Sequence, residues 1–176
     1  MTLKLEHILA AVAALAILVI IGAIGIWTRH PWLVPSLGAA AFLQTMSPDI
    51  KSARPWNIVV GQLLAVAGGF AGVFAVGAQS APTLASGHPL TWIRIAAVAV
   101  AIAITVLLQH MLSAENPTGG ATTLLIALGT EPATWQGVLI MLVGVALVSS
   151  LGEAARFSLL ALRKAAARRS DFRPGA

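Results

Sequence analysis

NPTGGATTLL at residues 116–125 decides the fold, because VPSLGAAAFL at residues 34–43 follows the same pattern. In both stretches a proline precedes a small hydroxyl residue, and Gly-Ala, further small residues and leucine follow. Proline suits the first turn of a helix, where an N–H group would have no partner in any case. The sequence therefore predicts one short helix, beginning at a proline, that is present in each half of the chain.

The composition is that of an integral membrane protein. Of 176 residues, 58% are hydrophobic and 10% are charged, and the mean hydropathy is +0.89. A soluble domain carries about 25% charged residues. Cysteine is absent, and so are the Ser-x-x-Lys, His-Glu-x-x-His, Gly-x-Ser-x-Gly and phosphate-loop patterns. No enzyme activity, metal or cofactor is therefore predicted.

Two kinds of apolar segment organise the chain. Four runs lack acidic and basic residues and can cross a bilayer as helices: 8–27, 56–78, 95–114 and 135–152. The fourth is short but can continue, and the charges that follow it are expected to emerge into water. Two further pieces are too short to span as helices, and each is expected to be a half-helix reached by an extended segment: 33–46 and 118–129.

The order long, broken, long occurs twice, at residues 8–78 and 92–157. The predicted fold class is an all-α membrane protein with four long transmembrane helices plus two broken half-helices in two inverted three-element repeats. Residues 1–160 would form a single bundle, and residues 161–176 a basic cytoplasmic tail. The tail is expected to contact anionic lipid rather than nucleic acid.

The inversion follows from the distribution of charge. If each broken element crosses the membrane, Lys4, Lys51, Arg54 and the basic tail all lie inside, and only Arg29 and Arg94 lie at the outer edge. The alternative, in which each broken element returns to its starting side, fits the positive-inside bias less well. Three crossings per half invert the second half. Both termini are therefore predicted in the cytoplasm, for a protein of the bacterial inner membrane.

Inverted half-helices would aim their N-termini at one point near the bilayer midplane, where the N–H groups and helix dipoles attract a small anion. Eight residues are predicted around it: Ser36, Gly38, Asn116, Thr118, Gly120 and Thr122, with Gln62 and His110 nearby. The competing interpretation is structural, with the polar groups capping helices or bonding between them.

Small residues on the second long run suggest a close-packing face. They recur at steps of four and three residues: Gly61, Ala65, Gly68 and Gly72. Such a ridge lets two helix backbones approach closely. It could pack within the monomer or between protomers, so a homo-oligomer is left open.

Several of these stretches resemble the HPP family of small integral membrane proteins. They are VPSLGAAAFL at 34–43, Ser47-Pro48, RPWNIVVGQ at 54–62 and NPTGGATTLL at 116–125. The stretches occur in the family's order, and the resemblance covers residues 35–156. It implies an integral membrane protein of the HPP type.

Two positions depart from the family pattern. The name-giving His-Pro-Pro is Asn116-Pro117-Thr118 here, and the histidine expected after Gly61 is Gln62. Amides thus replace both imidazoles and keep the hydrogen-bonding capacity. Some plant and cyanobacterial members are associated with nitrite transport, so the resemblance implies a channel or transporter for a small anion, with nitrite the candidate. The alternative is a non-transporting membrane assembly or regulatory subunit.

Overall fold

The computed structural model describes residues 5–30, 34–130 and 135–171, and this part of the chain is helical without strands. The helices are α1 Leu5–Thr28, α2 Pro35–Met46, α3 Pro55–Ala75, α4 Trp92–Met111, α5 Pro117–Leu128 and α6 Trp135–Asp171. Four of them, α1, α3, α4 and α6, are long and apolar enough to cross a membrane. The prediction of an all-α membrane protein with four long helices and two short ones is therefore confirmed.

The two short helices, α2 and α5, begin at Pro35 and Pro117 as the sequence indicates. Each has 12 residues, which corresponds to about 18 Å, against about 30 Å for the hydrocarbon core. α5 ends at Leu128, and the next residue, Gly129, has a φ of 70°, the left-handed conformation that terminates helices.

The extended segment predicted before α5 is only three residues long, 114–116, with Asn116 in an extended conformation. α4 ends at Met111, and Ala114 N donates to Gln109 O at 2.8 Å within a tight turn in which Ser113 has a φ of 50°. Asn116 then opens α5 directly. The approach to α2 at residues 31–33 lies outside the described residues.

The helices pack as two trios. α3 packs against α4 and α5, while α6 packs against α1 and α2. α1 also contacts α2, α4 contacts α5, and the trios meet through α3 with α6 and α2 with α5. If α1 is exchanged with α4, α2 with α5 and α3 with α6, the same pairs of helices are in contact. Each trio therefore contains two helices from one half of the chain and one from the other: α3 of the first half packs with α4 and α5, and α6 of the second half packs with α1 and α2.

Equivalent packing positions are visible at single residues. A Cβ on Gly69 of α3 would lie 3.0 Å from Ile126 Cβ of α5, and a Cβ on Gly152 of α6 would overlap the Gln44 amide of α2. Gln44 and Ile126 occupy the same place in the two short helices, counted from the opening proline. In both places a glycine of a long helix lets the tenth residue of a short helix approach closely.

The small-residue ridge of α3 packs within the monomer. A Cβ on Gly61 would overlap Asn116 of α5, and one on Gly68 or Gly72 would overlap Thr105 or Ala101 of α4. The missing side chains let these backbones approach closely. The prediction of a close-packing face is confirmed.

Ion pairs gather at the end of the bundle formed by residues 47–54 and 112–116, called here the basic end. Arg163 of α6 pairs with Asp49 and with Glu6 of α1, and Lys51 pairs with Glu115 at 3.0 Å. α1, α3 and α5 therefore begin at this end, and α2 and α4 finish there.

The basic tail does not start as a separate segment, because α6 continues to Asp171. The charges expected in water after residue 152 are partly enclosed. Glu153 and Arg156 side chains are 16% and 11% exposed, pair at 2.7 Å, and Arg156 Nε also donates to Pro48 O at 2.7 Å. Mutual pairing makes this burial tolerable.

Candidate functional site

The first turn of α5 is fastened by Asn116, its N-cap. Asn116 Oδ1 accepts from Thr118 N at 3.1 Å and from Thr118 Oγ1 at 2.7 Å. Its Nδ2 donates to Ile58 O of α3 at 3.4 Å. Asparagine is a favoured cap because its side-chain oxygen replaces the helical acceptor that the first N–H groups lack. The capping function expected for Asn116 is confirmed.

Gln62 of α3 connects two successive turns of α5. Its Nε2 donates to Thr118 Oγ1 at 3.1 Å, and its Oε1 accepts from Thr122 Oγ1 at 2.6 Å. Thr118 and Thr122 are four residues apart and therefore share a helix face, which one extended amide can reach from a neighbouring helix. The threonine hydroxyls and both amide atoms are thus paired within the protein.

Further amides hold the same region from α3 and α4. Gln109 Oε1 accepts from Asn116 N, and its Nε2 donates to Gly61 O, both at 2.9 Å. Asn57 Nδ2 donates to Glu115 O at 3.1 Å. Gln109 and Asn57 were recognisable in the sequence as polar residues within apolar runs, but their partners were not.

A hydroxyl pair continues the polar row deeper into the bundle. Thr123 Oγ1 lies 2.9 Å from Thr105 Oγ1 and 3.1 Å from Ala65 O. These two threonines and the residues described above lie between α3, α4 and α5 and are called here the α5 network: Gln62, Thr105, Gln109, Asn116, Thr118, Thr122 and Thr123.

The structure brings together four of the eight predicted site residues, Gln62, Asn116, Thr118 and Thr122. The other four lie elsewhere: Gly120 is on the half-exposed side of α5, Ser36 and Gly38 are on α2, and His110 is exposed. A Cβ on Gly38 or Gly120 would meet nothing within 4 Å. Neither glycine is therefore required by packing.

The N-termini of α2 and α5 do not converge. α5 begins at the basic end, where Lys51, shortly after α2, pairs with Glu115, shortly before α5. α2 runs towards that end and so begins about 18 Å away from it. The predicted meeting of the two N-termini near the bilayer midplane is wrong, because α5 starts directly after α4 instead of after an extended half-crossing.

The two short helices also differ in their capping. Val34, the N-cap of α2, makes no side-chain hydrogen bond. Ser36 is fully buried, and its hydroxyl has no partner among the described residues. Ser36 therefore does not cap α2. The buried polar side chains of α5 have partners in α3 and α4, whereas Ser36 and Gln44 of α2 have none among the described residues and Thr45 bonds to its own helix.

His110 belongs to the ionic surface of the basic end rather than to the α5 network. Its side chain is 83% exposed, and its Nδ1 lies 3.7 Å from Glu115 Oε1. The hydrogen bond from Lys51 holds the pKa of Glu115 below its ordinary value, with the peptide hydrogen bond and the positive charges acting in the same direction. Glu115 is therefore a charged acid at neutral pH.

Arg94 closes the opposite end of the α3–α4–α5 trio. It was expected at the outer edge, but it is only 3% exposed. Nε donates to Pro82 O at 3.1 Å, Nη1 to Ala127 O at 3.1 Å and Nη2 to Ala81 O at 2.7 Å. One guanidinium thus satisfies the C-terminal end of α5 and the loop that follows α3.

A bundle of apolar helices with buried amides and hydroxyls defines an integral membrane protein with a polar interior. The sequence profile described as "HPP, transmembrane region" matches residues 2–160, and the chain therefore belongs to the HPP family of membrane proteins. No match was found among curated proteins or among solved structures.

Proposed function

We propose that this protein is a channel or transporter for a small anion, rather than an enzyme, with nitrite the candidate that the family resemblance implies. The proposal is carried by one observation, the chemistry of the buried polar groups. Among the described residues these are hydroxyls, amides and a single charged side chain, that of Arg94.

This composition favours an anion over a cation. A cation is held by oxygen ligands, usually including carboxylates, whereas an anion is held by N–H and O–H donors. Glu153, whose side chain is less exposed than those of Glu6, Asp49 and Glu115, is paired with Arg156. Polar groups within membrane helices usually face a solute pathway or a neighbouring helix.

We further propose that the two repeats are inverted. The two halves of the chain make the same helix contacts when α1, α2 and α3 are exchanged with α4, α5 and α6, which supports a repeat. The chain directions of the helices support the inversion, since α1 begins at the basic end and its equivalent, α4, finishes there. Positive charge at the basic end, including Lys51, Arg54 and Arg163, favours placing it in the cytoplasm of a bacterial inner membrane.

Orientation is tested by labelling single cysteines in this cysteine-free chain. Cysteines at Ser52 and near the C-terminus are expected to resist an impermeant thiol reagent applied outside, and one at Ser86 is expected to react. Labelling at Ser52 but not at Ser86 from outside would reverse the orientation. Labelling at both would mean that α3 does not cross the membrane.

Transport is tested with purified protein in liposomes. Nitrite and chloride are expected to enter faster than into protein-free liposomes, and sodium is expected not to. The protein must be monodisperse before reconstitution, so that a lack of flux cannot reflect unfolding.

Sodium flux without anion flux would contradict the proposed selectivity. No flux of any ion through folded protein would contradict transport itself. That result would favour the alternative, a membrane assembly or regulatory subunit, which would then be sought as a stable complex with other membrane proteins.

A further inference from the structure

Three glutamines are buried among the residues whose burial the structure describes, and they differ in their partners. Gln62 and Gln109 each use both amide atoms in hydrogen bonds to protein groups. Gln44 of α2 is 0% exposed, yet neither its Nε2 nor its Oε1 has a partner among the described residues. An unpaired buried amide is costly, especially in a membrane, so the Gln44 amide would be stabilised by a water or a solute that donates to it or accepts from it.

Gln44 lies at a narrow contact between α2 and α6. Its amide rests against Gly152, where any Cβ would overlap it. The next residue of α6, Glu153, has a second buried and unpartnered atom, Oε2, while its Oε1 accepts from Arg156. Arg156 also donates to Pro48 O, just after α2. These residues form a polar site near the basic end, separate from the α5 network.

We propose that Gln44 contacts the transported solute, a small hydrated anion, at this site between α2 and α6. The inference rests on the proposed function and names a residue and a route that the sequence did not indicate. In the α5 network the amides and hydroxyls already hold one another. A solute that arrives and leaves needs groups that are free when it is absent.

The available groups match such a solute. Gln44 Nε2 offers two N–H donors to the anion. Arg156 has five N–H groups, of which two make the bonds to Pro48 and Glu153 described above. Gln44 Oε1 and Glu153 Oε2 accept hydrogen bonds from water that accompanies the anion. Glu153 does not exclude the anion, because Arg156 neutralises it.

Gln44→Leu tests the proposal, with Gln62→Leu as the matched control for the same chemical change at a paired amide. Gln44→Leu removes an unpaired amide and is expected to leave the melting temperature in detergent unchanged or raised. Gln62→Leu removes two hydrogen bonds and is expected to lower it. Nitrite and chloride flux through Gln44→Leu in liposomes should fall by about tenfold or more, the effect of losing a hydrogen bond of about 1.4 kcal/mol. Gln44→Glu, which adds negative charge, should reduce anion flux further.

Each outcome has a distinct meaning. Unchanged flux in Gln44→Leu, with unchanged stability, would overturn the proposal and leave the amide as a holder of structural water only. A lowered melting temperature in Gln44→Leu would also overturn it, because the amide would then have a structural partner. Absence of anion flux in the unmodified protein would overturn the proposed function itself.

Discussion

Gly72→Val is expected to prevent assembly of the bundle. A Cβ at this position would lie 2.5 Å from the backbone N and Cα of Ala101, and a backbone cannot turn aside as a flexible side chain can. Separation of α3 from α4 would also disturb the α5 network. The expected loss is about 3 kcal/mol or more, seen as aggregation in size-exclusion chromatography of the detergent-solubilised protein.

Gly120→Val provides the matched control. It makes the same change in another apolar helix, but nothing lies within 4 Å of the added Cβ. This variant is expected to be monodisperse, with a melting temperature close to that of the unmodified protein. Equal behaviour of the two variants would show that α3 and α4 are not in close backbone contact.

Arg94→Met is expected to cause the largest loss among substitutions of charged residues. It leaves the carbonyls of Ala81, Pro82 and Ala127 without the donors that the guanidinium supplies. Hydrogen bonds to charged groups are worth about 1.5–3 kcal/mol each. Some solvation of the loop carbonyls offsets this, so the expected loss is about 3 kcal/mol, measured by thermal unfolding in detergent.

Arg29→Met is the control for Arg94→Met, because Arg29 is exposed at the end of α1. It should change stability by about 0.5 kcal/mol or less. Arg94→Lys should recover only part of the loss, since an ammonium group cannot direct donors along three fixed directions as a guanidinium can. Similar melting temperatures for Arg94→Met and Arg29→Met would show that the Arg94 contacts do not stabilise the trio.

Local features were predictable because local physics determines them. Pro35 and Pro117 mark where the short helices begin, and Asn116 could be recognised as a cap. The spacing of Gly61, Gly68 and Gly72 indicated a close contact without naming its partner. These predictions depend on backbone geometry within a few residues, which the sequence specifies directly.

Long-range contacts were not predictable in the same way. Glu153 and Arg156 look like residues that emerge into water, but they pair with each other and reach Pro48. Gln44 looked like an ordinary residue of a short helix until α6 was placed against it. The spacing of apolar residues in a helix does not indicate which other helix will pack against it. The contact between α2 and α6 could therefore not be predicted, because these helices are far apart in the sequence.

Because α3 packs with α4 and α5, while α6 packs with α1 and α2, the two trios can assemble only in a certain order. α3, α4 and α5 are consecutive in the chain and form one trio, so they can associate as soon as α5 has been synthesised. α1 and α2 must wait in the membrane for α6, which is made after all of them. During that interval Gln44 lacks the helix that later encloses it. The half of the bundle with the unpaired amide is thus the half that is completed last.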